Sequence, residues 1–216
     1  MLEKTEGKER ATMIYEFRTY DLNPRAVPIF EERMAESLPG RLKLSPLGGF
    51  WSSEIGPLNQ VVHIWPYNDM NERTDIRAKA AAVPNWPPNN NDIMENMQTE
   101  IFIPAPFMTP LGDRNIGPIY EMRTYKYEPG AIPQVLEAWG ARIEEREKYS
   151  PLAGAWHSEI GGLNLWVHLW AYTSMDERAR VRAETREKGV WPPPGSATPI
   201  QQENKILTPF SFSPMQ

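Results

Sequence analysis

Tyr15-Glu16-Phe17-Arg18-Thr19-Tyr20 returns later in the chain as Tyr120-Glu121-Met122-Arg123-Thr124-Tyr125. Outward from that hexapeptide the repetition continues. Ser45-Pro46-Leu47 returns as Ser150-Pro151-Leu152, and Trp51-Ser52-Ser53-Glu54-Ile55-Gly56 as Trp156-His157-Ser158-Glu159-Ile160-Gly161. His63-Ile64-Trp65-Pro66-Tyr67 returns as His168-Leu169-Trp170-Ala171-Tyr172, and Trp86-Pro87-Pro88 as Trp191-Pro192-Pro193. Every pair is separated by the same interval, that from Tyr15 to Tyr120, and no gap is needed. Roughly 38 of 98 aligned positions are identical, far beyond chance, so the chain holds two copies of one unit.

Each copy opens on a strand. Tyr15, Phe17 and Thr19 alternate with Glu16, Arg18 and Tyr20, the period of a sheet with two different faces. A helix is expected over 28–41 and again over 133–148, because Pro28 and Pro133 suit a first turn, where a missing N–H costs nothing. Two strands follow, over 48–55 and 58–66 in the first copy. Gly56-Pro57, matched by Gly161-Gly162, fits a two-residue type II′ turn between them. That turn sets Ile55 opposite Leu58 and Glu54 opposite Asn59. Asp69-x-x-Glu72 and Ser174-x-x-Glu177 are capping-box starts for a second helix. A last strand over 99–104, repeated over 204–208, ends on Pro104 and Pro209. The order βαββαβ is the ferredoxin-like unit. Its helices cover one face of the sheet and leave the other bare. The expected fold class is therefore α+β, with two ferredoxin-like repeats packed sheet to sheet as an intrachain dimeric α/β barrel. The expected division is a mobile leader over 1–12, a first repeat over 13–112, a linker over 113–118 and a second repeat over 119–216.

Composition narrows the function classes. Of 216 residues, 40% are hydrophobic and 24% charged, with a formal net charge of −5. That balance suits a globular protein and argues against a nucleic-acid partner, which a basic face would announce. No apolar run approaches the ~20 residues of a membrane span. With no cysteine there is no disulfide, thiolate ligand or cysteine nucleophile. Residues 1–12 are charged and lack the apolar stretch of a signal peptide, so the expected location is cytoplasmic.

The opening Tyr-Glu-x-Arg-Thr-Tyr, the Trp-x-Ser-Glu-Ile-Gly-x-Leu-Asn segment, His63 to Arg73 with its repeat His168 to Arg178, and the closing Pro209 to Pro214 together resemble the NIPSNAP family. The resemblance covers both copies. It implies a dimeric α/β barrel, a superfamily that also holds cofactor-free monooxygenases, isomerases and haem-degrading enzymes. It also implies protein partners, through which animal members are tied to mitochondria and membrane traffic. This chain departs from the mitochondrial members in lacking an Arg-rich amphipathic leader.

The hairpin register sorts the site. Trp51, Ser53, Ile55, Leu58, Val62 and Ile64 share a core face, whereas Ser52, Glu54, Asn59, Val61, His63, Trp65 and Tyr67 share the other. Glu16, Arg18 and Tyr20 of the adjacent first strand join the second set. The second copy supplies Glu121, Arg123, Tyr125, His157, Glu159, Asn164, Trp166, His168, Trp170 and Tyr172. Charged groups on a covered face are paired or line a cleft, and an aromatic cleft with convergent polar groups is a small-molecule site. The expected ligand-binding residues are Glu16, Arg18, Tyr20, Glu54, Trp65 and Tyr67 in the first copy and Glu121, Arg123, Tyr125, His157, Glu159, Trp170 and Tyr172 in the second. His63 and His168 are candidate general bases, since imidazole titrates near neutrality; the competing reading makes them buried histidines bonded to a carboxylate or carbonyl. Glu16 with Arg18 also reads as a structural ion pair, Trp65 and Tyr67 as core, and Arg73, Arg77, Arg178 and Arg182 as a solvated face or ion pairs. His157, Glu159 and His168 make a weak case for a metal in the second copy, and the expectation is none. With no phosphate-loop, dinucleotide or zincin motif in context, no cofactor is expected either.

Two functions compete. One is a small molecule bound in a cleft of each repeat, extending to cofactor-free monooxygenase or isomerase chemistry. The other is a non-enzymatic interaction or scaffold module, motivated by Pro-rich loops presenting Trp86 and Trp191. The expected assembly is a pseudo-dimer within one chain, with further homo-oligomers left open.

Overall fold

The computed structural model describes residues 13–216; the leader expected over 1–12 lies outside them. The first repeat runs β1 (Ile14–Leu22), α1 (Val27–Leu42), β2 (Gly49–Ile55), β3 (Gln60–Tyr67), α2 (Met70–Ala80) and β4 (Met94–Pro104). The second runs β5 (Ile119–Lys126), α3 (Ile132–Gly140), α4 (Ile143–Glu147), β6 (Leu152–Ile160), β7 (Leu165–Tyr172), α5 (Met175–Glu187) and β8 (Gln201–Pro209). The expected βαββαβ order holds in both. The helix expected as one piece over 133–148 is two, broken at Ala141 and Arg142 just past Gly140, a poor helix former at that point. Its counterpart α1 continues through the same turn, even with Pro39 inside it. Asp69 and Ser174 are the expected N-caps, their side chains accepting from the backbone N–H of Glu72 at 2.8 Å and of Glu177 at 3.0 Å. Among the described residues no helix is long and apolar enough to cross a membrane.

All eight strands close into one antiparallel barrel in the order β1-β3-β2-β8-β5-β7-β6-β4. The two sheets thus meet along their edges as well as face to face. Each repeat's last strand pairs with its own first strand and with the second strand of the other repeat, β4 with β1 and β6, β8 with β5 and β2. Closure leaves no sheet edge bare.

The hairpin register is as expected, with Ser52 opposite Val61 and Trp51 opposite Val62. The turn is not. Four residues make it, with Gly56 at φ 118° and Asn59 at φ 56°, and the second repeat copies this with Gly161 and Asn164. Asparagine tolerates the left-handed region that most side chains avoid. Pairing with β3 stops at Ser52, whereas pairing with β8 runs from Trp51 to Ile55 with an irregularity between Ser53 and Ile55.

Three cores follow from the alternation. Tyr15, Phe17, Trp51, Val62, Ile64 and their second-repeat equivalents fill the barrel. The indoles of Trp51 and Trp156 fold back over Gly49 and Gly154, where an added Cβ would sit 2.0 and 2.1 Å from the ring. The other two cores lie between the outer sheet face and the helices. Each is completed by the opposite repeat. Phe210, just after β8, stacks on Phe50 of the first repeat at 5.1 Å, and its N–H donates to the Phe50 carbonyl. Ala105, just after β4, donates to the Ala155 carbonyl of the second repeat, and Phe107 packs on Trp166.

Candidate functional site

The outer face of each sheet carries one buried carboxylate. Glu16 on β1 is 1% exposed. Its Oε1 accepts from Arg18 at 2.9 Å, Arg73 of α2 at 2.7 Å and Thr99 of β4 at 2.8 Å, and Arg77 lies 3.5 Å away. Burial alone would push this carboxyl up. The hydrogen bonds from Arg73 and Thr99 and the charges of Arg18 and Arg73 outweigh it and hold Glu16 down at about 2. Glu121 is built alike, accepting from Arg123 at 2.7 Å, Arg178 at 2.6 Å and Asn204 at 3.2 Å, with Arg182 3.6 Å from its other oxygen. Its carboxyl is likewise lowered, the same cations overcoming burial. Arg18 and Arg123 each donate a second bond from Nε, to Tyr20 and Tyr125 at 2.6 Å.

β3 brings His63 opposite Arg18, and β7 brings His168 opposite Arg123. Both imidazoles are 2% exposed. His63 lies stacked on Phe50 at 4.5 Å, with the Tyr20 ring edge-on at 4.9 Å. His168 is held by Tyr125 and Trp139. Neither is bonded to a carboxylate or carbonyl. Instead Trp65 Nε1 donates to His63 Nδ1 at 2.7 Å, and Trp170 Nε1 to His168 Nδ1 at 2.9 Å. An indole nitrogen can only donate, so Nδ1 must be bare and the proton of the neutral ring sits on Nε2. Burial first, then the charges of Arg18 and Arg123, push both imidazoles well below their ordinary range. The two Nε2 atoms are buried and have no hydrogen-bond partner among the described residues.

A cavity adjoins each group. The first, about 360 Å³, lies between the sheet, α2 and the Trp86-Pro87-Pro88 loop, with Glu16, Arg18, Tyr20, His63, Trp65 and Tyr67 in its wall. The second, about 440 Å³, takes Arg123, Tyr125, His168, Trp170, Tyr172 and the Trp191-Pro192-Pro193 loop. Glu121, fully buried, is not part of that lining.

A sequence profile of the NIPSNAP family matches residues 15–109 and again 120–214. The chain belongs to the NIPSNAP family. It is 31% identical to human Protein NipSnap homolog 3B over 217 aligned positions, covering 94% of this chain and 85% of that one. It is 30% identical to the Protein NipSnap homolog of Dictyostelium discoideum, covering 83% and 78%. Among solved structures, a monooxygenase candidate from Lactobacillus acidophilus superposes with a TM-score of 0.63 over 91% of this chain and 93% of its own, at 11% identity. At that identity the likeness is one of fold.

Three expected site residues of this NIPSNAP chain lie elsewhere. Glu54 and Glu159 stand exposed where β2 and β6 have left their hairpins. The irregularities between Ser53 and Ile55 and between Ile101 and Phe102 break the strict alternation that had placed them on the cavity face. His157 is half-buried on the β6–β4 seam opposite Ile103 and lines neither cavity. Among the described residues no three His, Asp or Glu side chains cluster as metal ligands. Trp86 and Trp191, expected to be presented to a partner, are instead half-buried cavity walls, packed edge-on against Trp65 at 6.2 Å and Trp139 at 4.5 Å. Arg77 and Arg182, weighed as a solvated face or ion pairs, lie within ion-pair distance of Glu16 and Glu121 and also line the cavities.

Sequence reading missed Arg41 and Arg146. Both line the cavities and are 3% and 2% exposed. Arg41 sits over the Trp65 ring at 4.2 Å, donating to Ser45 at 2.8 Å and Tyr67 at 3.1 Å. Arg146 sits over Trp170 at 4.1 Å, donating to Ser150 and Tyr172. A signal was present: Arg41-x-x-x-Ser45 returns as Arg146-x-x-x-Ser150, a charge kept through the repeat while the residues just before it change.

Proposed function

We propose that each repeat binds a small molecule in the cavity between its sheet and its second helix. One observation carries this reading: Nε2 of His63 and of His168, the nitrogen that the indole bond leaves to hold the proton, is buried beside the cavity and has no hydrogen-bond partner among the described residues. Leaving a buried donor unmet costs about 1–3 kcal/mol, and an acceptor oxygen on a bound molecule removes that cost. The cavity volumes suit a small organic ligand.

The same groups decide which chemistry suits the site. Removing a proton from a ligand needs a free base. Nδ1 of each histidine is taken by an indole, Nε2 already holds a proton, and Glu16 is locked among arginines. The geometry therefore favours holding and polarising an acceptor oxygen over general-base isomerisation. Monooxygenation, the chemistry named for distant structural neighbours, would here have to begin from a ligand already deprotonated.

The test is a thermal-shift screen of a metabolite library against the wild type, His63→Phe and His168→Phe. Phenylalanine keeps the aromatic packing and deletes Nε2–H. Compounds that raise the wild-type Tm are expected to lose most of their effect in the double variant. Hits that shift the folded double variant as strongly as the wild type would sink the reading.

A further inference from the structure

Arg41 and Arg146 raise a separate question of charge. Each is a guanidinium almost wholly removed from water, and neither has a carboxylate within ion-pair distance among the described residues. The other arginines nearby differ: Arg18, Arg73 and Arg77 lie within ion-pair distance of Glu16 and Arg123, Arg178 and Arg182 of Glu121, and Arg186, at the second cavity, is exposed to water. A buried cation without a counter-ion is costly. Serine and tyrosine hydroxyls and the face of an indole offset only part of that. Burial, as the largest cause, pushes the Tyr67 and Tyr172 hydroxyls up, so neither tyrosine supplies the missing negative charge.

The guanidinium and the imidazole ring, through its Nδ1 edge, meet on one side chain. Trp65 gives its N–H to His63 and its ring face to Arg41, and Trp170 does the same for His168 and Arg146. Around them lie apolar and aromatic side chains, joined in the second cavity by polar groups such as Arg182, Thr185 and Gln202. The first cavity adds Met34, Trp86 and Met94, the second Tyr127, Trp139 and Trp191.

We propose that each cavity takes a small organic carboxylate, its anionic head held by Arg41 and the His63 Nε2–H in the first repeat and by Arg146 and the His168 Nε2–H in the second, with a flat apolar body against the tryptophans. In each repeat one carboxylate, Glu16 or Glu121, is shared by three arginines, so the wall is cationic even before Arg41 or Arg146 is added, and the guanidinium fork of Arg41 or Arg146 suits the two oxygens of a carboxylate. This assignment rests on the binding reading above and adds the sign of the ligand's charge.

Calorimetric titration of the full chain with four probes separates the two. The probes are 1-naphthoate, 1-naphthalenemethanol, 1-naphthylmethylamine and phenyl phosphate. Naphthoate is expected to bind at two sites per chain, at least about tenfold tighter than the alcohol and than phenyl phosphate, with the amine giving no heat. Arg41→Met and Arg146→Met are each expected to remove the preference for naphthoate over the alcohol at one site, and Arg41→Lys to keep it. The wild-type titrations decide the sign of the charge even where a methionine variant fails to fold. Equal affinity for naphthoate and the alcohol, or tighter binding of phenyl phosphate, would overturn the carboxylate assignment and leave the binding cavity standing. No heat from any of the four probes would overturn the carboxylate assignment and the cavity reading beneath it.

Discussion

Replacing Glu16 by glutamine asks whether its charge, rather than the packing around it, holds the first repeat's arginines in place. Glutamine keeps the shape and removes the charge. The carboxyl stands at about 2 in the folded chain against 4.5 for the free group. At about 1.36 kcal/mol per unit that difference is worth roughly 3 kcal/mol near neutrality. A second route agrees, since removing one partner of a buried ion pair costs about 3–5 kcal/mol. Because the folded value is depressed, the stabilisation is fully present above 4.5 and fades as pH falls toward 2. At pH 3 about 1.4 kcal/mol of it remains. Urea unfolding of wild type and Glu16→Gln from pH 7 to pH 3 is therefore expected to show a gap that narrows from about 3 to about 1.4 kcal/mol. In thermal scans at pH 7 the variant should melt roughly 6–12 °C lower. A gap below 1 kcal/mol at pH 7, or one that does not narrow between pH 7 and pH 3, would refute the charge argument.

Imidazole nitrogen NMR should show His63 and His168 as neutral Nε2–H tautomers at pH 7, with no titration down to pH 5; a protonated Nδ1 would remove the indole-to-imidazole bond from the account. Their lowered values also mean that the unfolded chain binds more protons below about 6.5, so these two residues erode stability as pH falls through that range. Gly49→Ala should cost about 1–3 kcal/mol, because the new Cβ displaces the Trp51 indole inside a filled barrel; a denaturation midpoint equal to wild type would show that the ring can move freely. Residues 13–112 expressed alone should sediment as a dimer, since β2 and β4 each lack an edge partner without the second repeat. A stable folded monomer would contradict the barrel's interdependence.

Much of this was legible in the chain because it is local or repeated. The constant interval from Tyr15 to Tyr120 gave the duplication. The alternation in Tyr15–Tyr20 and the register through Trp51 and Val62 sorted barrel from helix side correctly near the sheet centre, but Ile55 and Leu58, expected on the core face, are exposed at the hairpin end; the caps at Asp69 and Ser174 lie where their side chains can reach the first free N–H groups. What stayed hidden depends on contacts far apart in sequence. Nothing near Ser53 announces that β2 will outrun β3 and go on with β8 alone through an irregularity that carries Glu54 away from the cavity. Arg41 read as the charged end of a helix, because its burial comes from Trp65 and Tyr67, which lie more than twenty residues further on. Trp86 and Trp191 read as exposed because proline-rich loops are usually outside; here those loops fold back as walls.

The crossing of Phe210 onto Phe50, and of Ala105 and Phe107 onto the second repeat, has a consequence for inheritance. In a barrel made of two identical chains, any change in a cavity wall arises at both sites at once. A fused gene lifts that restriction, and one wall can change while its twin is kept. Met34 and Trp139 occupy matching positions in the two cavities with different shapes. The crossing tails tie the halves together mechanically, while the genetic code leaves them free to specialise.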